Sequence, residues 1–188
     1  MKYRSLGVLV GVLFSVSAFA QSPKPGLWET TSQMFGEDPA EVKQRANLSP
    51  AERKKTEDFL SKSMGTTVTI VGGHLITVEK ECATPEEAKT HVFTPKALAE
   101  SSAKEMTKEE DGCTVSNISQ QPGNTATVSY ACPASKTKGS IKVTVHNDTS
   151  SSVHWQGVID GRNFEAKSSS RWLSTDCGNV KPDSKKDE

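Results

Sequence analysis

The sequence has no excess of either charge and few hydrophobic residues. The 188-residue chain carries 23 basic and 23 acidic residues, and 34% of its residues are hydrophobic. Balanced charge gives no electrostatic reason to expect nucleic acid or an anionic membrane surface as a partner. After residue 20 no segment is apolar enough to span a bilayer. We therefore expect a mature chain without a membrane span and with a thin core.

Recognisable catalytic and metal-binding motifs are also missing. The sequence has no G-x-S-x-G nucleophile elbow, and its cysteines contain no C-x₂-C or C-x₄-C pair. Neighbouring acids occur at Glu79/Glu81 and Glu109/Glu110, but such pairs are more typical of solvated faces than of a glycosidase site. The sequence assigns no catalytic, cofactor-binding or metal-binding residue, and we expect a protein that is not an enzyme.

The N-terminus has the three parts of a secretory signal peptide. Lys2 and Arg4 form a basic start, residues 6–19 form an apolar run, and Ala18-Phe19-Ala20 is a small-x-small cleavage site. The alternative is a membrane anchor, which needs about 20 apolar residues, and this run is shorter. We expect cleavage after Ala20. Cleavage leaves 168 residues with 21 basic and 23 acidic side chains, a net charge of −2.

Four cysteines lie in the mature part of the chain: Cys82, Cys113, Cys132 and Cys177. An even number in an exported chain indicates two disulfides rather than a zinc site. Cys113 and Cys132 flank a predicted hairpin about Pro122-Gly123. Joining them sets Val115 opposite Tyr130 on one face of that hairpin. This pairing is preferred among the three possible connectivities, and it leaves Cys82 to pair with Cys177.

Residue patterns predict a mainly β protein of the α+β class. The predicted strands are 27–35, two about Gly72-Gly73, 113–120, 125–132, 139–147, 153–159 and 162–173. The predicted helices are 39–46, 50–64, 85–91 and about 94–103, with 101–111 as a loop or frayed helix. We expect about eight strands in a single curved antiparallel sheet or partly open barrel with inserted short helices. The predicted layout is a signal peptide (1–20), one domain (21–178) and a disordered polar tail (179–188).

Two sets of side chains are candidates for binding. His146 and His154 flank a predicted turn at 147–151, where they could face each other across the hairpin and hold a metal weakly; a solvated strand face is the plainer interpretation. Trp28, Trp155 and Trp172 could line a ligand pocket, although aromatic side chains more often pack in a core.

Several short motifs together resemble one family of exported bacterial proteins. The mature chain opens with Pro-Gly-Leu-Trp-Glu at 25–29, and the four cysteines follow in order. It closes with Arg171-Trp172 and then Cys177-Gly178. This combination resembles the domain of unknown function numbered thirty-six seventeen. The resemblance implies a bacterial origin, a periplasmic location and two disulfides, and it carries no known activity.

From these patterns we expect a periplasmic, non-enzymatic domain that binds a protein partner or a ligand. The first alternative is a lipocalin-like carrier that holds a small apolar molecule between its tryptophans. The second is an enzyme whose site is assembled from scattered polar residues.

Overall fold

The fold is an open antiparallel sheet of eight strands with four helices. The computed structural model describes residues 22–35, 37–90, 93–107, 112–159 and 161–182, so the predicted signal peptide lies outside the described residues. In chain order the elements are β1 (Gly26–Phe35), α1 (Pro39–Ala46), α2 (Pro50–Met64), β2 (Thr67–Val71), β3 (His74–Ala83), α3 (Pro85–Thr90), α4 (Pro95–Thr107), β4 (Thr114–Gln121), β5 (Thr125–Cys132), β6 (Thr137–Asn147), β7 (Ser150–Ile159) and β8 (Arg162–Ser174).

The order of strands across the sheet is β2-β3-β1-β8-β7-β6-β5-β4. The last five strands form a meander of neighbouring hairpins. The first strand instead lies in the middle, antiparallel to β3 on one side and to β8 on the other. This confirms the predicted fold class, in its open-sheet form: β2 and β4 are the two edges.

Helix α4 covers one face of the sheet and forms the core with it. Ala99 and Ala103 of α4 are fully buried against a cluster on β5 and β6. The apolar members of that cluster alternate along their strands: Ala126, Val128, Tyr130, Ile141 and Val143. The small alanines let the helix approach the sheet closely. Burial raises the pKa of Tyr130 to about 12.

Helix α4 is longer than predicted. Residues 101–107 continue the helix that was expected to end near Ala103. Ala103 has no exposed surface, because it packs on the sheet one turn beyond Ala99. Because this stretch is mostly polar in sequence, its contact with the core through Ala103 could not be predicted.

Capping boxes begin two of the helices, α2 and α3. The Ser49 side chain accepts from the Glu52 backbone N–H, and the Glu52 carboxylate accepts from the Ser49 N–H. Thr84 and Glu87 make the same reciprocal pair before α3, at 3.1 and 2.7 Å. Each box satisfies backbone donors that the first helical turn leaves free.

The two sheet edges are protected in different ways. On β2 the backbone N–H groups of Val68 and Ile70 donate to Ser61 Oγ (2.8 Å) and Glu57 Oε1 (2.7 Å) of helix α2. On β4 the register with β5 shifts between Ser116 and Ser119, where Asn117 has a φ of 53°. A side-chain cap and a bulge both interrupt the free edge on which another strand could pair.

Two disulfides cross-link the fold. Cys82 on β3 is bonded to Cys177 and Cys113 to Cys132, the same pairs that the hairpin argument preferred, and Val115 lies opposite Tyr130 as expected. Within the segment predicted as a tail, residues 179–182 are described. Val180 N–H donates to the Cys177 carbonyl, and Pro182 forms an isolated bridge with Cys82.

The two disulfides should contribute unequally to stability. They close loops of 95 and 19 residues. In the chain-entropy model these contribute about 4.7 and about 3 kcal/mol. We predict that Cys82→Ala/Cys177→Ala lowers the free energy of unfolding in urea more than Cys113→Ala/Cys132→Ala does. Each pair has one buried cysteine, which makes the two variants comparable. The reverse order would contradict the loop argument.

Candidate functional site

The face of the sheet opposite helix α4, called the polar face below, carries a cavity of about 480 Å³. Strand alternation explains its character, because residues that follow or precede the buried apolar positions point to the other side. On β6, Ile141, Val143 and Val145 are buried, whereas Lys142 is exposed between them. The side chains of the polar face around the cavity are mostly hydroxyl, amide or cationic: Thr31, Gln33, Lys142, Thr144, Ser152, His154, Lys167 and Ser169.

Three basic residues lie in one row across the polar face. His154 on β7 is paired in register with Lys142 on β6 and with Lys167 on β8. We call these three residues the cationic row. Directly opposite residues of antiparallel strands have Cβ atoms about 5 Å apart, so the row places three basic groups at even intervals. Gln33 on β1 continues it beside Lys167.

One carboxylate faces the cationic row. Oε1 of Glu165 lies 2.6 Å from Nζ of Lys167 and 2.9 Å from Nε2 of His154. The hydrogen bond from Lys167 is the main reason that the pKa of Glu165 lies below its ordinary range; partial desolvation opposes this, and His154 lowers it further. Lys142 has no ion-pair partner among the described residues.

A second cavity of about 530 Å³ lies next to the first. Glu165 lines it together with Phe35, Gln156 and the facing glycines Gly139 and Gly157. Nζ of Lys167 lies 4.9 Å from the centroid of the Phe35 ring. Since Glu165 contacts two members of the cationic row and lines the second cavity, it lies where the two cavities approach each other.

The two histidines singled out from the sequence do not face each other, so this expectation was wrong. Nε2 of His146 lies 3.1 Å from Ser152 Oγ, and His154 contacts Glu165 instead. The cause is a turn shorter than expected: β6 extends to Asn147 and β7 begins at Ser150, so Lys142, and not His146, lies opposite His154. In the part of the chain that the structure describes, no group of three His, Cys, Asp or Glu side chains is placed to hold a metal ion.

The three tryptophans lie on the helix-covered side of the sheet. Trp28 packs with Phe93 and Val145, with Trp172 beside them, and Trp155 packs on the α4 cluster. Neither of the two cavities above includes a tryptophan. Both lining sets instead include residues that the sequence analysis did not single out, above all Lys142, Lys167 and Glu165.

A family model described as a protein of unknown function, DUF3617, matches residues 23–177. The chain belongs to the DUF3617 family. This is the family that the sequence motifs resemble. Searches of curated proteins and of solved structures find no match to the chain.

The motifs of this DUF3617 protein fix the start of β1 and join it to β8. The indole N–H of Trp28 donates to the Lys24 carbonyl (2.8 Å), and that of Trp172 donates to the Pro25 carbonyl (3.0 Å). Glu29 accepts two hydrogen bonds from Arg171, at 2.7 and 3.0 Å.

Backbone geometry explains why the opening motif contains a glycine at residue 26. Gly26 has a φ of 125°, and a Cβ at this position would lie 2.1 Å from the Ser174 carbonyl oxygen. Together with the tryptophans and the Glu29–Arg171 pair, it shows that the residues quoted for the family resemblance build the scaffold, whereas the cavity residues lie outside those motifs.

The lowered pKa of Glu165 gives a test of the cavity geometry. We predict that the side-chain carboxyl of Glu165, followed by ¹³C NMR, has a pKa below the ordinary value of a glutamate carboxyl. Lys167→Met should return its pKa toward that value, and His154→Gln should have a smaller effect. Because the pKa is lowered, the ion pairs persist at higher pH and are lost as the pH falls through the folded-state value. A midpoint unchanged in Lys167→Met would contradict the contact.

Proposed function

We propose that this DUF3617 protein is exported to the periplasm and acts there as a non-enzymatic domain that binds an anionic ligand on the polar face of its sheet. The cationic row carries the proposal. Lys142, His154 and Lys167 come from three adjacent strands, and all three line one cavity. Rigid strands fix the spacing of such groups better than loops do.

The charge of the cavity favours an anion. Two lysines and a histidine line it, whereas Glu165 is the carboxylate that contacts them among the described residues. Hydroxyl groups of Thr31, Thr144 and neighbouring serines surround the row, and they can donate hydrogen bonds to ligand oxygens. Charge-assisted hydrogen bonds from lysine to such oxygens are about twice as strong as neutral ones.

The cavity chemistry supports the two alternative functions less well. A carrier of apolar molecules needs a cavity lined mainly by hydrophobic and aromatic side chains, whereas the tryptophans pack in the core. For an enzyme, the Ser152–His146 contact is the nearest approach to a nucleophile with its base. No carboxylate orients the His146 ring among the described residues, and such a third group is part of that arrangement.

Export rests on the N-terminal signal pattern and on the cysteines. Two disulfides are typical of an oxidising compartment. No helix within the described ranges is long and apolar enough to cross a membrane.

Export is tested by the mass of the protein after secretion. We predict that the full chain, expressed in a Gram-negative host, is recovered from the periplasmic fraction. Its denatured mass should correspond to residues 21–188 less four hydrogens, which are lost in forming two disulfides. Ala18→Lys/Ala20→Lys, which removes the small residues of the cleavage site, is the control and should keep residues 1–20. A wild-type mass that includes those residues would contradict cleavage after Ala20.

Anion binding is tested by calorimetric titration at low salt. Tripolyphosphate is the anionic probe, and maltotriose serves as a neutral one. We expect binding of tripolyphosphate alone, with an affinity about tenfold lower in Lys142→Ala because one hydrogen bond to a charged group is lost. Raising the salt concentration should weaken binding through screening.

Lys138→Ala is the matched control for Lys142→Ala. Lys138 lies four residues earlier on β6, points to the same face and lines neither cavity. Lys138→Ala should therefore lower the affinity less than Lys142→Ala does, because Lys138 acts on a ligand in the cavity only from a distance, and raising the salt concentration should remove its effect. Equal losses in the two variants would mean that net charge, and not the cavity, binds the probe. No tripolyphosphate binding by the wild-type protein would overturn the proposed function.

A further inference from the structure

Glu165 already forms ion-pair contacts with two residues of the cationic row. One oxygen, Oε1, contacts both Lys167 Nζ and His154 Nε2, at 2.6 and 2.9 Å. A ligand oxygen that takes the Nε2 hydrogen bond of His154 must therefore replace this carboxylate, and one that binds Lys167 competes with it for the ammonium group. Lys142 lies at the other end of the row, and no described carboxylate is within ion-pair distance of it.

We propose that Glu165 is a specificity-determining residue that restricts the cavity to ligands with more than one negative group. This inference rests on the proposed anion binding. A ligand with a single carboxylate would gain little binding free energy by displacing Glu165. One carboxylate would replace another, and the ligand would lose its translational freedom.

A polyanion gains binding free energy when it displaces Glu165, whereas a monoanion does not. Lys142 and Lys167 are two strands apart, about 10 Å at the usual strand spacing. A ligand with two anionic groups at a matching distance contacts Lys142, which is unoccupied by any described carboxylate, and displaces Glu165 from Lys167. The specified chemistry is thus a linear oligophosphate or a polycarboxylate of this span.

Displacement of Glu165 is compatible with the fold. About 40% of its side-chain surface is exposed, and so is 56% of that of Lys167. Ion pairs with this exposure contribute little to stability. Glu165 is therefore free to leave Lys167 and turn toward the second cavity, which it also lines.

The test compares Glu165→Gln with Glu29→Gln, using tripolyphosphate and acetate as probes. Glu29 is the matched control because it points to the same face and is paired with an arginine across β1 and β8. It lines neither cavity. Both variants remove one negative charge, and thermal melting verifies that both are folded.

We expect Glu165→Gln to bind tripolyphosphate about fivefold more tightly than wild type, the upper range for one exposed charge interaction. Acetate binding should strengthen by a larger factor than tripolyphosphate binding in Glu165→Gln, so that the preference for the polyanion falls. Glu29→Gln should match wild type. Tripolyphosphate binding that is equal in wild type and Glu165→Gln overturns this inference while the proposed function stands. If neither protein binds tripolyphosphate, the proposed function fails as well.

Discussion

The rest of the structure depends on the pairing of the first strand with the last. Without β1, the sheet would divide into β2–β3 and the five-stranded meander, because β1 alone joins β3 to β8. This pairing joins residues about 140 positions apart. Bringing the two strands together therefore costs loop-closure entropy before the contacts between them form. Interactions that offset this cost concentrate at one end of the pair: the indole of Trp172 bonded to Pro25, the Glu29–Arg171 pair and the Cys82–Cys177 disulfide.

A core on one side of the sheet leaves the other side free to bind. Helix α4 packs two small alanines against β5 and β6, whose side chains form the rest of the buried cluster. Helix α4 does not cover the polar face, and alternation places Lys142, His154 and Lys167 there. The same β1–β8 register that joins the two parts of the sheet also sets Gln33 beside Lys167. Strand register therefore determines both the arrangement of the sheet and the placement of the cavity residues.

Part of this register could be predicted from the sequence. Asp160-Gly161 is a two-residue hairpin signal, which pairs Ile159 with Arg162 and hence His154 with Lys167 five residues back. The pairing of Lys142 with His154 could not be predicted, because it depends on the irregularity after Val145. A regular hairpin about Asp148-Thr149 would have set Val143 opposite His154. The one-residue shift instead pairs Val143 with Val153 and keeps the apolar residues on the core side, an effect of packing that local sequence does not reveal.

The division between scaffold and cavity explains why membership of the family does not identify a ligand. Gly26, Trp28 and the paired cysteines have buried or sterically constrained positions, so their replacement costs stability whatever the protein binds. The cationic row is at least partly exposed, and exposed charges contribute little to stability. A change of Lys142 or Glu165 therefore alters the charge pattern of the cavity with little effect on the fold. The chemistry that this protein recognises must be argued from the charges on its polar face, since the motifs that define its fold do not reach that face's cavity.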